Sequence, residues 1–455
     1  MRKEISSAPD KSEPADTAGR MRAEIRALMV RDNRTNWLYI GRVWFFIALA
    51  IAGASWTHGI IARHGLGWGW HVPVAITAVF VIGASQHQLG GVLHEAAHYM
   101  LFADRKLNER VGDWLAGFPL YTSVYHYRTD HLAHHQFIKD PERDPEIAQL
   151  RYGGQWLDYP VTHIDVMVML LKQLWLPNLL RYTLGRALSL LSDKKNPYVD
   201  PQRTGSRWPL ILTVFFWIGV PLIVQPLSWS HFWLLAFVAI AAVWAASVTY
   251  FLFAPERAFP GGRIDPVIGH RDNAIMRMTF LALVYGALTA INVWRGDDWG
   301  WRTFALYWVV PLFTTFPLFL ILRQWVQHGN ADRGRYTNSR VFLVGPIIRY
   351  AVFPFGQDYH LPHHLYASVP HYNLKTLHEV LLKDPEYREK GVVVEGYFGR
   401  DNPVSGRPTA ISVLGAAHAP KNRERIYIDN AALDFADVND PTGIALHAEQ
   451  SQQRG

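Results

Sequence analysis

The sequence predicts an all-α integral membrane protein of about six transmembrane helices (four to six), with interfacial helices and a helical cap on the cytoplasmic side. Three observations carry this expectation. Apolar residues are bunched into runs of roughly fifteen to more than twenty, the length a helix needs to cross a bilayer. Lys and Arg, which give a formal charge of +7, concentrate between certain runs, as the positive-inside rule expects. Finally, nine histidines stand in four clusters at the ends of runs: His94 and His98 in HEAAH, His131, His134 and His135 in HLAHH, His328 in QHGN, and His360, His363 and His364 in HLPHH.

Composition narrows the function. A basic chain can signal nucleic-acid binding, but here the cations flank apolar runs, so no nucleic-acid partner is expected. The absence of cysteine excludes disulfides, thiolate zinc sites, cysteine nucleophiles and cysteine-ligated iron–sulfur clusters. A redox enzyme of this composition takes its electrons from a separate carrier. There is also no His-Pro-Gly-Gly signature of a fused cytochrome b5 domain.

Residues 1–35 read as a polar, disordered extension, because MRKEISSAPDKSEPADTAGR is rich in Ser, Pro and Ala and lacks a signal peptide's apolar core. Residues 36–390 read as the membrane domain. Its first run, Val43 to Ile61, joins Val72 to Leu93 through ARHGLGWGWH, and the second run ends directly on His94. The link is too short for a domain, so the two runs form a helical hairpin. Within the polar stretch 99–206, Val166 to Leu180 is apolar but contains Lys172 and Pro177, which suits an interfacial helix. A second hairpin follows, Pro209 to Val224 and Phe232 to Phe253, and a third, Met278 to Val293 and Phe304 to Leu322. Val341 to Phe355 is short and interrupted by Pro346, Arg349 and Pro354, as expected of a re-entrant or interfacial segment. Residues 391–455 read as a polar cytoplasmic tail. Three hairpins and a cytoplasmic N-terminus place the C-terminus and all four histidine clusters on the cytoplasmic side.

Histidine is the commonest metal-ligating side chain, and nine exceed what one four-coordinate metal needs. Positions i, i+3 and i+4 share a helix face, so HLAHH and HLPHH each present three imidazoles together, and HEAAH presents two. Pro362 fits a first helical turn but not an interior. His360 is therefore expected at or just before a helix start, with Asp358 as a possible cap. All-nitrogen ligation suits iron or zinc. Ligating imidazoles usually donate their second N–H to a carboxylate or carbonyl, and Glu95, Asp130, Asp140, Asp144 and Asp358 are near enough in sequence to accept. His87, His126, His371 and His378 lie near the clusters but off the helical spacing, and the case for them as ligands is weaker. HEAAH by itself also fits the H-E-x-x-H zinc-protease motif, which leaves seven clustered histidines without a role. A metal carrier would need its ligands within the spans.

Together the boxes resemble those of the membrane fatty acid desaturase superfamily, with its related hydroxylases and carotenoid ketolases. The order is similar: HxxxH after the second span, HxxHH in the same polar stretch, a single histidine after the last hairpin and HxxHH near the C-terminal end. LFADRKLNERVGDWLAG and HLPHHLYASVPHYNL resemble the segments that follow the family's first and third boxes. The resemblance covers roughly Asn36 to Leu382. It implies that all nine histidines hold two non-haem irons, and that Gln324, one turn before His328, contacts a metal through water. It further implies that O2 is the co-substrate, and that a ferredoxin- or cytochrome b5-type donor with its reductase supplies electrons. The implied reaction introduces a double bond into a fatty acyl or lipid chain held in an apolar tunnel. The same boxes also serve hydroxylation or ketolation and leave small non-lipid substrates open. Arg128 and Arg323 are candidate contacts for an anionic head group. Two positions depart from the pattern: Gln327 and Pro362 stand where relatives often carry glutamate, so an acidic partner is either lost or supplied by Asp358.

Overall fold

Six helices are long and apolar enough to cross a membrane. They appear in a computed structural model that describes residues 13–420 apart from 193–195, 197, 201 and 204. In chain order the helices are α1 (Glu13–Leu28), α2 (Thr35–Arg63), α3 (His71–Ala97), α4 (Arg105–Gly112), α5 (Val124–Gln136) and α6 (Pro145–Gly153). Next come α7 (His163–Lys172), α8 (Leu176–Ser192), α9 (Trp208–Trp229), α10 (Trp233–Phe253), α11 (His270–Arg295) and α12 (Trp299–Gln327). The six spans are α2, α3 and α9 to α12; all but α10, which matches its run to within one residue, extend beyond the apolar run that predicts them. The fold is an all-α membrane protein, apart from one small sheet.

The spans pack by helical periodicity. On α2, Ile40, Val43 and Ile47 face Leu89, Val92, Leu93 and Ala96 of α3, while Leu38, Phe45, Leu49 and Trp56 are left exposed on the outer surface. Such an outer face suits lipid rather than water. A second core joins α9 to α12 through Phe216, Val220, Ile240, Met278, Tyr285 and Trp301. Helices α9 and α12 each contain a π-helical turn, Phe215–Gly219 and Ala305–Val309. Pro221 and Pro311 each follow after one intervening valine, and the widened turn relieves the clash of the proline ring with the preceding carbonyls.

Helices α3 and α12 are in close contact at Gly83. A Cβ built there would lie 1.9 Å from Thr315 Oγ1 and 2.9 Å from the backbone nitrogen of Phe316. This crossing aligns the two spans that end at the histidines.

The remaining elements form a cap at that end. They are α4 to α8, then β1 (Arg340–Leu343), α13 (Pro346–Val352), α14 (His360–Leu365), α15 (Leu374–Leu381), α16 (Pro385–Lys390) and β2 (Val392–Glu395). Strands β1 and β2 pair in parallel, Arg340 opposite Val392 through Leu343 opposite Glu395.

Four expectations are revised. The stretch Val341 to Phe355 is not one segment: its β-branched and aromatic start pairs with the Val392–Val394 run, and α13 begins at Pro346. Val166 to Leu180 divides into α7 and α8, because Pro177 opens a new helix. Ile164, Met167, Leu171, Leu174 and Trp175 there are exposed, as an interfacial segment requires. Residues 13–28 form a helix, and Ile25 packs on Leu377 and Leu381 of α15. The segment after 390 is packed as far as its described part extends, since Ala410, Ile411, Val413 and Leu414 share a core with Leu320 and Trp325. Residues 1–12 and 421–455 of the two polar ends lie outside the described residues.

Substituting Gly83→Leu forces α3 and α12 apart and should destabilise the fold by at least about 1–3 kcal/mol. Gly41→Leu, where nothing lies within 4 Å of the added Cβ, should leave stability unchanged. Thermal unfolding of the two variants in detergent provides the comparison.

Candidate metal centre

Four elements deliver the nine histidines to one place. Helix α3 ends in His94 and His98, α5 carries His131, His134 and His135, α12 stops at His328, and α14 carries His360, His363 and His364. All nine are buried. Their ligand atoms sort into two groups, each with its atoms within 4.8 Å of one another. One comprises His94, His98, His131, His135 and His363, the other His134, His328, His360 and His364. The groups adjoin, with the rings of His135 and His364 stacked at 4.1 Å.

The contacts run between Nε2 atoms. In the first group, His131 is 2.8 Å from His98, His135 is 3.0 Å from His131, and His363 is 3.1 Å from His135. In the second, His328 is 3.2 Å from His134 and 2.9 Å from His360, and His364 is 3.0 Å from His360. Two imidazoles at right angles around one metal, each bonded at about 2.1 Å, stand about 3.0 Å apart. His94 Nε2 is buried in the first group and has no hydrogen-bond partner. The donor set therefore fits two metal ions held by neutral nitrogen.

Several remote nitrogens are oriented by acceptors. Nδ1 of His134 meets Asp144 Oδ1 at 3.0 Å, that of His94 meets Glu95 Oε1 at 3.2 Å, and that of His328 meets the Asn338 carbonyl at 2.8 Å. Burial, followed by the neighbouring imidazoles, holds His131, His135, His360, His363 and His364 well below the ordinary histidine range. They are neutral at pH 7 and ready to bind metal. At His134 burial acts in the same direction, but Glu146 and Asp144 outweigh it and raise the group to about 9. Metal binding at His134 therefore displaces a proton.

Other sequence candidates have different roles. Asp130 accepts from Asn196 at 2.8 Å, and Asp140 pairs with Arg143 at 2.7 Å. Asp358 does not cap α14, whose N-cap is Tyr359 without a side-chain bond. Its carboxylate takes Arg349 Nε at 2.8 Å, because the turn at 356–359 directs it away from the helix. Burial raises Asp358 to about 6 against the pull of Arg349. Gln324 accepts the Tyr182 hydroxyl at 2.6 Å. His126 bonds Ser123, His371 bonds Asn36, His378 bonds Tyr387, and His87 bonds the Ala351 carbonyl, so none of the four joins either metal group.

Arg128 is not a surface contact for a head group. It is fully buried, donates to the Ala96 and Ala97 carbonyls at 2.8 Å each, and pairs with Glu109. Arg340 does the same for α12, donating to the Val326 and Gly329 carbonyls at 2.6 Å each. Each arginine satisfies carbonyls that a helix C-terminus leaves unpaired, at the two spans whose ends carry histidines. Arg340, Glu146 and the Asn338 carbonyl carry no sequence motif and emerge only from the fold.

Asp144→Asn should weaken metal affinity about 10–100-fold, whereas Asp130→Asn should leave it unchanged. Competition with a chelator measures both.

The match to known proteins agrees with this geometry. The fatty acid desaturase family matches residues 68–256 and 250–395, from the second span to β2. The dihydrorhizobitoxine desaturase of Bradyrhizobium elkanii is 22% identical over 416 residues, 89% of each chain. The family match covers well over half the sequence and includes every clustered histidine, and the chain belongs to the fatty acid desaturase family.

Proposed function

We propose that this desaturase-family oxidoreductase is a di-iron enzyme that converts a saturated carbon–carbon bond into an alkene. The substrate loses two hydrogens. O2 takes these together with two electrons and two protons from an external donor, and leaves as two waters. The observation that supports this most is the pair of buried nitrogen groups, five and four, with no thiolate or carboxylate in either. Zinc shares the preference for nitrogen but has no redox chemistry, and the family is one of oxidoreductases. Bound iron supplies the O2 and one-electron chemistry.

The chain's own part is to hold, orient and exclude. Neutral imidazoles ligate without acting as acid or base. Asp144, Glu95 and the Asn338 carbonyl fix ring orientation, and Arg128 and Arg340 anchor the helix ends from which the histidines project. Burial of all nine keeps bulk water from the centre. The basic loops around the histidine end support a cytoplasmic placement of that end and of both termini, where a ferredoxin- or cytochrome b5-type donor is available.

A fatty acyl substrate follows from the family. A substrate other than a fatty acyl chain is supported by the relative named for dihydrorhizobitoxine and by the polar side chains near the histidines. Hydroxylation or ketolation would use the same ligands. A zinc protease reading is opposed by Glu95. Its carboxylate contacts His94 Nδ1, on the side away from the ligand nitrogens, and accepts the His371 backbone N–H at 2.9 Å.

Purified protein should carry two irons per chain, and His134→Ala should lose metal and more than 100-fold of activity. The product should be two hydrogens lighter than the substrate by mass spectrometry. A single zinc with His364→Ala tolerated, or a product that gains oxygen, would overturn the assignment.

A further inference from the structure

Arg323 lies near the end of α12 and is 6% exposed. Its guanidinium donates to Gln357 Oε1 and reaches the Tyr127 hydroxyl, while its Nε is buried without a partner. Among the described residues no carboxylate pairs with it. The other buried arginines of the cap are compensated, Arg128 by Glu109 and Arg340 by two helix-terminal carbonyls. A buried cation is costly unless something pairs with it.

Its surroundings place it at the metals. Arg323 lies within Coulomb range of His94 and His363 of the first group and His134 of the second. The ring of Tyr127 is 5.4 Å from that of His131. Arg186 and Glu146 act on the same Tyr127 and Tyr182 hydroxyls as Arg323 does. His87 donates Nδ1–H to the Ala351 carbonyl at 2.8 Å, which leaves Nε2 an acceptor, buried and unpartnered, within Coulomb range of Arg323. The side chains near the histidines thus include a guanidinium, phenols, an imidazole and a carboxylate. An alkyl chain gains little from such neighbours.

We propose that Arg323 pairs with the carboxylate of a compact substrate, so that the C–H bonds presented to the metals lie only a few bonds from that carboxylate. The inference rests on the di-iron desaturase reading and narrows it to a short polar acid, either a simple acid or an amino acid.

The test measures binding of four probes to the full chain in lipid nanodiscs: hexanoate, norleucine, hexanamide and palmitate. Hexanoate, norleucine or both should bind at least tenfold more tightly than hexanamide and palmitate. Arg323→Gln should remove that preference while iron stays at the wild-type level. Norleucine binding above hexanoate identifies an amino acid, and the reverse a simple acid. The proposal is overturned if neither short acid binds, if palmitate binds more tightly than both, or if Arg323→Gln binds the short acids as wild type does. Should Arg323→Gln lose its iron, Arg323→Lys decides: a retained preference for acid over amide supports the pairing, and a lost one overturns it. Short-acid binding to a chain that carries one zinc and no iron would instead overturn the desaturase reading.

Discussion

Nine imidazole nitrogens converging in a dry interior are the constraint on which this structure depends. Neutral nitrogens with lone pairs facing one another at 2.8–3.2 Å repel, and most of these rings are too deeply buried to hold protons between them. A cation in each group reverses that interaction and releases the desolvation cost of the ring nitrogens. Such metals would be part of the fold: they would join α3, α5, α12 and α14, whose apolar residues beside the histidines fall in separate clusters, Leu93 and Ala96, Leu132 and Ala133, Trp325 and Val326, and Leu361 and Leu365.

Holding the ligands also requires that two membrane helices end inside the protein. A helix C-terminus leaves four carbonyls unpaired, and water cannot satisfy them here. The solution is the same at both ends. Arg128 reaches from the second-box helix to Ala96 and Ala97 beside the first box, with Asn108 adding a bond to Ala96 at 2.9 Å. Arg340 reaches from β1 to Val326 and Gly329 around His328. The sheet has its place in a helical protein for this reason: pairing with Val392–Glu395 fixes the strand from which Arg340 projects. Asn330 then ties the same turn to the Val413 and Gly415 carbonyls, both at 2.9 Å.

What was legible in the sequence follows from range. The spans and the nine histidines rest on local signals, apolar run length and i, i+3, i+4 spacing; the structure has the six spans and brings the nine histidines together. The roles of the acids were not legible, because they depend on where the backbone turns. Asp144 and Asp358 look alike as neighbours of a histidine box, yet one meets His134 and the other Arg349. Arg128 and Arg323 both read as loop cations near span ends. Only packing shows that one is consumed by carbonyls and Glu109 while the other is buried with no counter-charge among the described residues. The chain after 390 read as a tail because it is polar with scattered Gly and Pro. It packs because Val394 extends a sheet whose other strand lies fifty residues earlier.

HEAAH shows how little a motif determines without the direction of its side chains. In a zinc protease the glutamate must face the metal-bound water to serve as a base. Here Glu95 Oε1 contacts the remote nitrogen of His94, and Oε2 receives the backbone N–H of His371. His371 in turn contacts Asn36 Oδ1 at 2.8 Å, and Asn36 donates to the Leu101 carbonyl at 2.8 Å. One carboxylate thereby connects the first box to the segment after the third and, through it, to the start of the first span. The residue that would supply catalysis in a hydrolase supplies connectivity here. His94 is left with its Nε2 buried among the first group of histidines and without a hydrogen-bond partner.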